Sequence, residues 1–500
     1  MPRYSFVAKM PDEPGMMHQA SDIVQRHHGN IERVHYDRRI DAHTVFFEVL
    51  CPEASYRAIE GELRRIGFLQ TSLAPLSFLK LHVYLANRSG SLMGFLERTT
   101  AARANIAYMD FDDREHPERL TVSLTLEGGA AIDDLLDDLK HRYRLEVLEY
   151  DTSGKSLDDT VFYLRFAQQL REIIGEAEDE FLFRLLRDIN HIVQALTNLG
   201  HDYRQVFESI LLTGRTLRAT TGDAFYIDAQ SHELSHGSLV CAQLPCGGNV
   251  YLVGSHGRQV MVDTGFGIYA EDLRGLLRES ELGDLGEVEK LLITHGDADH
   301  AGSGGFIESE AVMHPGTLEV LNQANRAYGS NIEGSILEEV YTRLINLFSD
   351  FRPPRYVILL DEGGEQMEGP FQVIGRVGAA GLSFKALKGL DGHVHGQTYY
   401  LCEEEGLLFT GDTLLNLSSF TPDRQRFSDL AKVLMTTVNV DSEAAAIERK
   451  GLLEIAVRLD ARMRAQGRRC LVCGGHGAVS VVDDGRLRAY GQTVRFTKRA

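Results

Sequence analysis

The sequence predicts an α/β chain in which two small β-α-β-β-α-β units and a helical stretch precede a larger domain of two sheets held between helices. Three observations predict it. Strand-like and helix-like periods follow one another in the same order twice, over residues 1–75 and 76–152. From 153 to 222 the apolar residues recur at spacings of three and four. From 223 to 500 short apolar runs end in polar loops rich in His, Asp and Gly, with helical stretches between them.

In the first unit Tyr4–Met10 reads as a strand, Pro11 to Gly15 as a turn, and Met16–His28 as a helix carrying Ala20, Ile23 and Val24 on one face. Strands follow at Ile31–Asp37 and Thr44–Leu50, then a helix at Ser55–Ile66 stopped by Gly67. A last strand is expected at Leu69–Leu73, completing the split βαβ pattern. The second unit repeats this with strands at Ser77–Leu85, Asn105–Tyr108, Leu120–Leu126 and Leu145–Tyr150 and helices at Met93–Arg103 and Ala130–His141. The turns Asp12-Glu13-Pro14-Gly15 and Asn87-Arg88-Ser89-Gly90, each leading into a helix, resemble the ACT domain family. That resemblance implies ferredoxin-like domains, pairing into a homodimer or higher homo-oligomer, and an amino-acid effector bound beside Asp12, Gly15, Asn30 and Gly90.

The stretch 153–222 reads as a helical connector, with Leu182, Leu185, Ile189, Ile192, Leu196 and Leu199 as one stripe and Gly200 as its stop. His191 and His201 have no partner at ligand spacing and read as solvated or capping residues.

A net charge of −20 argues against a general nucleic-acid binder, which needs a basic surface. No apolar run approaches a membrane span, and the N-terminus enters a strand without a signal-peptide pattern, so no membrane partner and a cytoplasmic location are expected. The six cysteines read as free buried thiols, with a redox pair at Cys470 and Cys473 as the alternative. Cys470 and Cys473 form a single C-x-x-C, which lacks the second pair a four-sulfur zinc site requires.

In the last domain Asn249–Gly254 and Gln259–Gly265 read as a hairpin ending in the acidic Asp263 turn. Strands are expected at Leu291–Thr294, Ala311–His314, Gln397–Cys402, Leu407–Thr410 and Cys470–Cys473, and helices at Glu271–Glu279 and Ser335–Phe348. After Thr294 the chain reads His295-Gly296-Asp297-Ala298-Asp299-His300. Imidazoles and carboxylates at this density cannot all be desolvated in an apolar core, whereas two cations would neutralise the carboxylates and take the neutral nitrogens. His314 follows a short strand and His395 competes with His393 for one ligand role, while His232, His236 and His256 read as surface residues.

The succession Val262-Asp263-Thr264-Gly265, Thr294 to His300, Gly392-His393-Val394-His395-Gly396, Gly411-Asp412-Thr413 and Gly475-His476-Gly477 resembles the metallo-β-lactamase superfamily. The resemblance implies an αββα sandwich with two metal ions at the sheet edge. Residue by residue it implies His295, Asp297 and His393 around one metal and Asp299, His300 and His476 around the other, with Asp412 bridging. Asp263 would be the acid beneath the site and His395 a pocket or supporting contact. Asp297 departs from the family's usual histidine. A carboxylate is a harder ligand and moves the preference from zinc towards iron or manganese.

Two functions are compatible with that set. A dinuclear hydrolase would cleave an ester, thioester, lactone or phosphodiester in a small-molecule substrate, with Asp299 and Asp412 in the catalytic role. The alternative is a di-iron protein similar to the flavodiiron branch, binding or sensing dioxygen without a flavin domain of its own.

Overall fold

A computed structural model describes residues 3–11, 15–35, 44–68, 76–85, 90–111, 119–127, 129–151, 159–361, 363–432, 435 and 437–498. The chain divides into two compact units, Met1–His191 and Ile192–Ala500.

In the first unit an antiparallel sheet runs in the order Arg3–Lys9, Thr44–Leu50, Asn30–His35. The central strand alternates, so Val45, Phe47 and Val49 point to one face. Helices Met16–Arg26 and Glu53–Arg65 bury Ala20, Ile23, Val24, Ile59 and Leu63 against that face. The strand expected at 69–73 lies outside the described residues, as does Asp12.

A second antiparallel sheet runs Asn105–Phe111, Arg119–Glu127, Leu76–Tyr84, Arg144–Asp151, with helices Ser91–Ala101 and Gly129–Arg142. Its first and third strands are central and adjacent, which is the split βαβ arrangement. Leu79, Leu81, Val83, Leu120, Val122 and Leu124 share its core with Phe95 and Leu139. Gly15 and Gly90 sit at equivalent turns, with φ of 96° and 89°, a left-handed backbone that favours glycine. Each accepts the first backbone hydrogen bond of its helix, from Gln19 and Gly94 respectively. Asn30 is exposed at the start of its strand.

The stretch 153–222 contributes helices Asp159–Ile174, Asp179–Asn198 and Tyr203–Ala219, and the division between the units falls within the second. Leu182, Leu185, Ile189, Ile192 and Leu196 are buried as the spacing requires. Leu199 is not: the helix ends at Asn198, and Leu199 is 50% exposed.

The second unit holds two eight-stranded sheets. One runs Val357–Leu359, Glu310–Met313, Val288–Leu292, Arg258–Val262, Asn249–Ser255, Gly237–Gln243, Tyr226–Leu234, Val494–Thr497. The other runs Met367–Glu368, Phe371–Ala379, Leu382–Lys388, Thr398–Cys402, Leu407–Gly411, Leu471–Gly474, Ser480–Asp483, Arg486–Ala489. Tyr251, Val253, Val260, Val262, Leu292 and Val312 of the first sheet meet Phe384, Tyr400, Cys402, Leu407, Phe409 and Cys473 of the second. The alternate residues Tyr399, Leu401, Leu408 and Val472 face Leu452, Ile455, Leu459 and Met463 of helix Ser442–Arg464. Strands buried on both faces read as continuous apolar runs, which is why these segments stand out in the sequence.

Cys473 belongs to the core between the sheets and Cys470 to the layer under the helix. Both are free, and burial pushes the Cys470 thiol up to about 12. No described helix is long and apolar enough to cross a membrane.

Candidate metal centre

The parallel strands of both sheets deliver the polar loops to one end of the sandwich. Arg258–Val262, Val288–Leu292 and Glu310–Met313 run parallel in the first sheet, as do Leu407–Gly411 and Leu471–Gly474 in the second. Asp263, His295, Asp412 and His476 follow the carboxyl ends of four of these strands, the usual place for ligands in sheets of this kind. His393 arrives from the loop between Leu382–Lys388 and Thr398–Cys402. The sheets are tied together here: the Tyr400 hydroxyl lies 3.0 Å from the carbonyls of both Ile293 and Val312, and Thr398 donates its N–H to Thr294.

Seven of the expected residues converge. Asp297 Oδ2 lies 3.7 Å from His295 Nε2 and 3.3 Å from His393 Nε2. Asp299 Oδ2 lies 3.8 Å from His300 Nε2 and 3.4 Å from His476 Nε2. Asp412 stands between the groups, with Oδ1 3.2 Å from His300 Nε2 and Oδ2 3.1 Å from His476 Nε2 and 3.8 Å from His393 Nε2. Close packing of the loops depends on glycine: a Cβ on Gly475 would fall 2.0 Å from Asp412 Oδ1.

Each imidazole is oriented through its other nitrogen. His295 Nδ1 bonds the Thr294 hydroxyl, His300 Nδ1 bonds Asp263, His393 Nδ1 bonds Asn439 Oδ1, and His476 Nδ1 bonds the Gly247 carbonyl. With the proton on Nδ1 in each case, all four Nε2 lone pairs point into the cluster. Asp263 is the hub beneath it. Its carboxylate accepts from the Thr294 N–H, the Thr294 hydroxyl and His300 Nδ1, at 2.8, 2.8 and 2.9 Å. Its own backbone is left-handed, with φ of 54°, at the turn that swings the side chain under the loop.

The electrostatics fit a cation site. Burial, with His300 and His393 nearby, holds the His295 imidazole well below the usual histidine range. Burial pushes the Asp299 carboxyl up. Burial opposes charge on Asp412 too, yet His476 and His300 hold it well below the usual carboxylate range. Against the same burial, Asp412 and Asp299 draw protons onto His300 and His476, the attraction a metal ion would feel. Three groups can each offer converging ligand atoms: Asp263, His295 and His300; His295, His393 and Asp412; and Asp299, His300 and His476. The Nε2 atoms of His295, His300 and His393 and the Asp412 Oδ1 are buried without a hydrogen-bond partner, an arrangement metal ligation would resolve.

Some expected residues fall elsewhere. His395 does not join the cluster. Its ring lies 3.1 Å from Asp391 and 3.4 Å from Glu319. His314 caps helix Pro315–Gln323 by accepting the Gly316 N–H. His232, expected at the surface, is instead buried and stacked on Tyr490 at 5.8 Å. Gly15, Asn30 and Gly90 belong to the N-terminal unit described above.

Other residues at the centre carry no local sequence signal. Arg326 is only 2% exposed, with Nε 3.6 Å from Asp297 Oδ1 and the rest of its guanidinium bonded to Glu338 and to the carbonyls of Thr437 and Val438. Although burial would raise the Asp297 carboxyl, Arg326, with His393 and His295, holds it well below the usual range. Tyr341, Phe266, Phe420 and Phe427 line the pocket above the cluster.

Residues 244–452 match the sequence model of the metallo-beta-lactamase superfamily. No curated protein sequence matches the chain. Similar solved structures include a metallo-beta-lactamase family protein from Thermus thermophilus, at 21% identity over 51% of this chain and 74% of that one, with a TM-score of 0.29. A metallo-beta-lactamase from Hirschia baltica is 12% identical over 50% of this chain and 91% of that one, with a TM-score of 0.30. One from Erythrobacter litoralis, with beta-mercaptoethanol in its active site, is 14% identical over 50% and 90%, with a TM-score of 0.30. Residues 244–452 of this chain thus belong to an α/β domain of the metallo-beta-lactamase superfamily.

Proposed function

We propose that the C-terminal domain is a metal-dependent hydrolase with two cations held by His295, Asp297, His393 and Asp412 on one side and by Asp299, His300, His476 and Asp412 on the other. The observation that carries this reading is the set of four imidazoles whose Nδ1 atoms are committed outward and whose Nε2 atoms converge on three carboxylates. Metal ions bound there would lower the pKa of water and polarise a carbonyl or phosphoryl oxygen. The chain's own residues do the rest. Asp263 and Thr294 fix the ring orientations of His300 and His295, and Asp299 is placed to hold a proton of the attacking water. Phe266, Phe420 and Phe427 set apolar surface beside these groups.

Metal analysis of the purified protein, combined with turnover of activated esters, tests this. Two bound zinc or manganese ions and turnover abolished in Asp412→Ala support hydrolysis. Two irons with an oxygen-dependent absorption band and no turnover would establish the dioxygen reading instead, which the carboxylate at Asp297 favours. For the N-terminal unit we propose an amino-acid effector at the glycine turns. The support is the shared left-handed geometry of Gly15 and Gly90. A thermal-shift screen of the twenty amino acids should reveal at least one stabilising ligand; no shift with any of them would leave the unit an assembly role.

A further inference from the structure

We infer that the pocket above the cluster takes an uncharged acyl substrate (an ester, thioester or lactone) with one compact apolar arm, and not a phosphodiester. The inference rests on the hydrolase reading and narrows it. Beyond the ligands the pocket is lined by Phe266, Ile345, Leu415, Phe420, Phe427 and Val438, with the polar Asn249, Tyr341 and Ser428 among them. Phe266 and Phe427 meet edge to face at 6.4 Å, and Phe420 lies 6.2 Å from the His476 ring, so apolar surface begins directly beside the cluster. The cavity measures about 170 Å³. An apolar cavity of about 150 Å³ accepts benzene, and because this one must also hold the acyl group at the cluster, arm and acyl group together are limited to roughly six to eight non-hydrogen atoms.

The charges point the same way. Among the described lining residues the cations are Arg326 and Arg424, and both are committed. Arg326 bonds Glu338 and two backbone carbonyls and faces Asp297. Arg424 bonds Asp228 and the carbonyls of Leu244 and Gln243. A phosphodiester would bring a buried anion that neither guanidinium is free to meet. Asp297, Asp299 and Asp412 take up most of the charge that two divalent ions would supply. A neutral carbonyl carries no such penalty, and its hydrolysis balances with water alone. Water oxygen bonds to the acyl carbon, the acyl–oxygen or acyl–sulfur bond breaks, and the alcohol or thiol leaves with one proton. A carboxylate and a second proton remain.

The test uses the full chain loaded with metal, p-nitrophenyl esters from acetate to decanoate, and bis(p-nitrophenyl) phosphate. Turnover efficiency should rise about three- to fourfold per added methylene up to hexanoate, fall at decanoate, and exceed the phosphodiester by at least about 100-fold. A flat ester series, or a phosphodiester cleaved faster than every ester, overturns the inference while leaving hydrolysis intact. Absence of turnover with both classes would strike the hydrolase reading instead, and a binding measurement then decides the pocket. The chain contains no tryptophan, and Leu417 lies at the pocket mouth, 45% exposed, so Leu417→Trp introduces a single reporter. In the metal-free full chain 1-hexanol should shift its emission to the blue saturably, and dimethyl phosphate should not. The reverse result overturns the inference.

Discussion

The two halves of the candidate metal centre are built from similar side chains but stand in different electrostatic surroundings. Around His295, Asp297 and His393 the orienting groups are neutral, the Thr294 hydroxyl and the Asn439 amide, and a buried guanidinium faces the carboxylate from behind. Around Asp299, His300 and His476 the main orienting group is the Asp263 carboxylate, and no guanidinium lies within ion-pair distance of Asp299 among the described residues. An anionic partner raises the basicity of an imidazole ligand, whereas a cation beside a carboxylate competes with the metal for it. The half centred on His300 should therefore bind its cation first and more tightly.

The largest effect is expected at the residue common to both halves. Asp412→Ala should remove both cations and lower ester turnover by at least about 100-fold, since several kcal/mol of charge stabilisation are lost; metal content after dialysis checks the first part and initial rates the second. Asp263→Asn should weaken the His300 half by about 10- to 100-fold and the other half less, through Thr294. Equal weakening of both halves in a competitive metal titration would break the comparison. Arg326→Met combined with Glu338→Gln, which avoids leaving a buried carboxylate uncompensated, should act with the opposite sign. It frees Asp297 and should tighten the His295 half by about tenfold or more, since a charge pair about 4 Å apart is worth about 4 kcal/mol at an effective dielectric of about 20 and the loss of the Glu338 charge offsets part of it.

The smallest effect on metal binding should come from the ion pairs of Asp228, behind the pocket wall at Arg424. Against its own burial, Arg495 and Arg424 hold the Asp228 carboxyl below its ordinary value. These pairs therefore stabilise the fold above the ordinary carboxylate pKa, and the contribution is lost as pH falls through the lowered value. Asp228→Asn should flatten the decline of melting temperature below about pH 4 and leave metal content unchanged.

Much of the candidate centre was legible because its imidazoles and carboxylates sit where chemistry overrides packing. A strand that ends in His295, Asp297, Asp299 and His300 has no apolar reading, and the glycine-flanked His393, Asp412 and His476 repeat that signal at other strand ends. Arg326 was not legible. It lies between helices Pro315–Gln323 and Ile336–Phe348, and its role comes from Glu338 and from carbonyls more than a hundred residues away. His232 misled for a similar reason, since the Tyr490 ring that buries it arrives from the far end of the chain. The paired turns at Gly15 and Gly90 were legible as a repeat because only a left-handed backbone asks for glycine there.

Each half of the centre draws ligands from both sheets, with residues 295–300 on one side and His393, Asp412 and His476 on the other. Cations held there would act as clasps between layers otherwise joined mainly by their apolar faces. Peeling the sheets apart would then require giving up the ions, so folding and metal supply become one equilibrium. Each tenfold rise in free metal above the dissociation constant should add about 1.4 kcal/mol per ion to the stability of the domain, and a starved chain should open to proteases along the seam between its sheets.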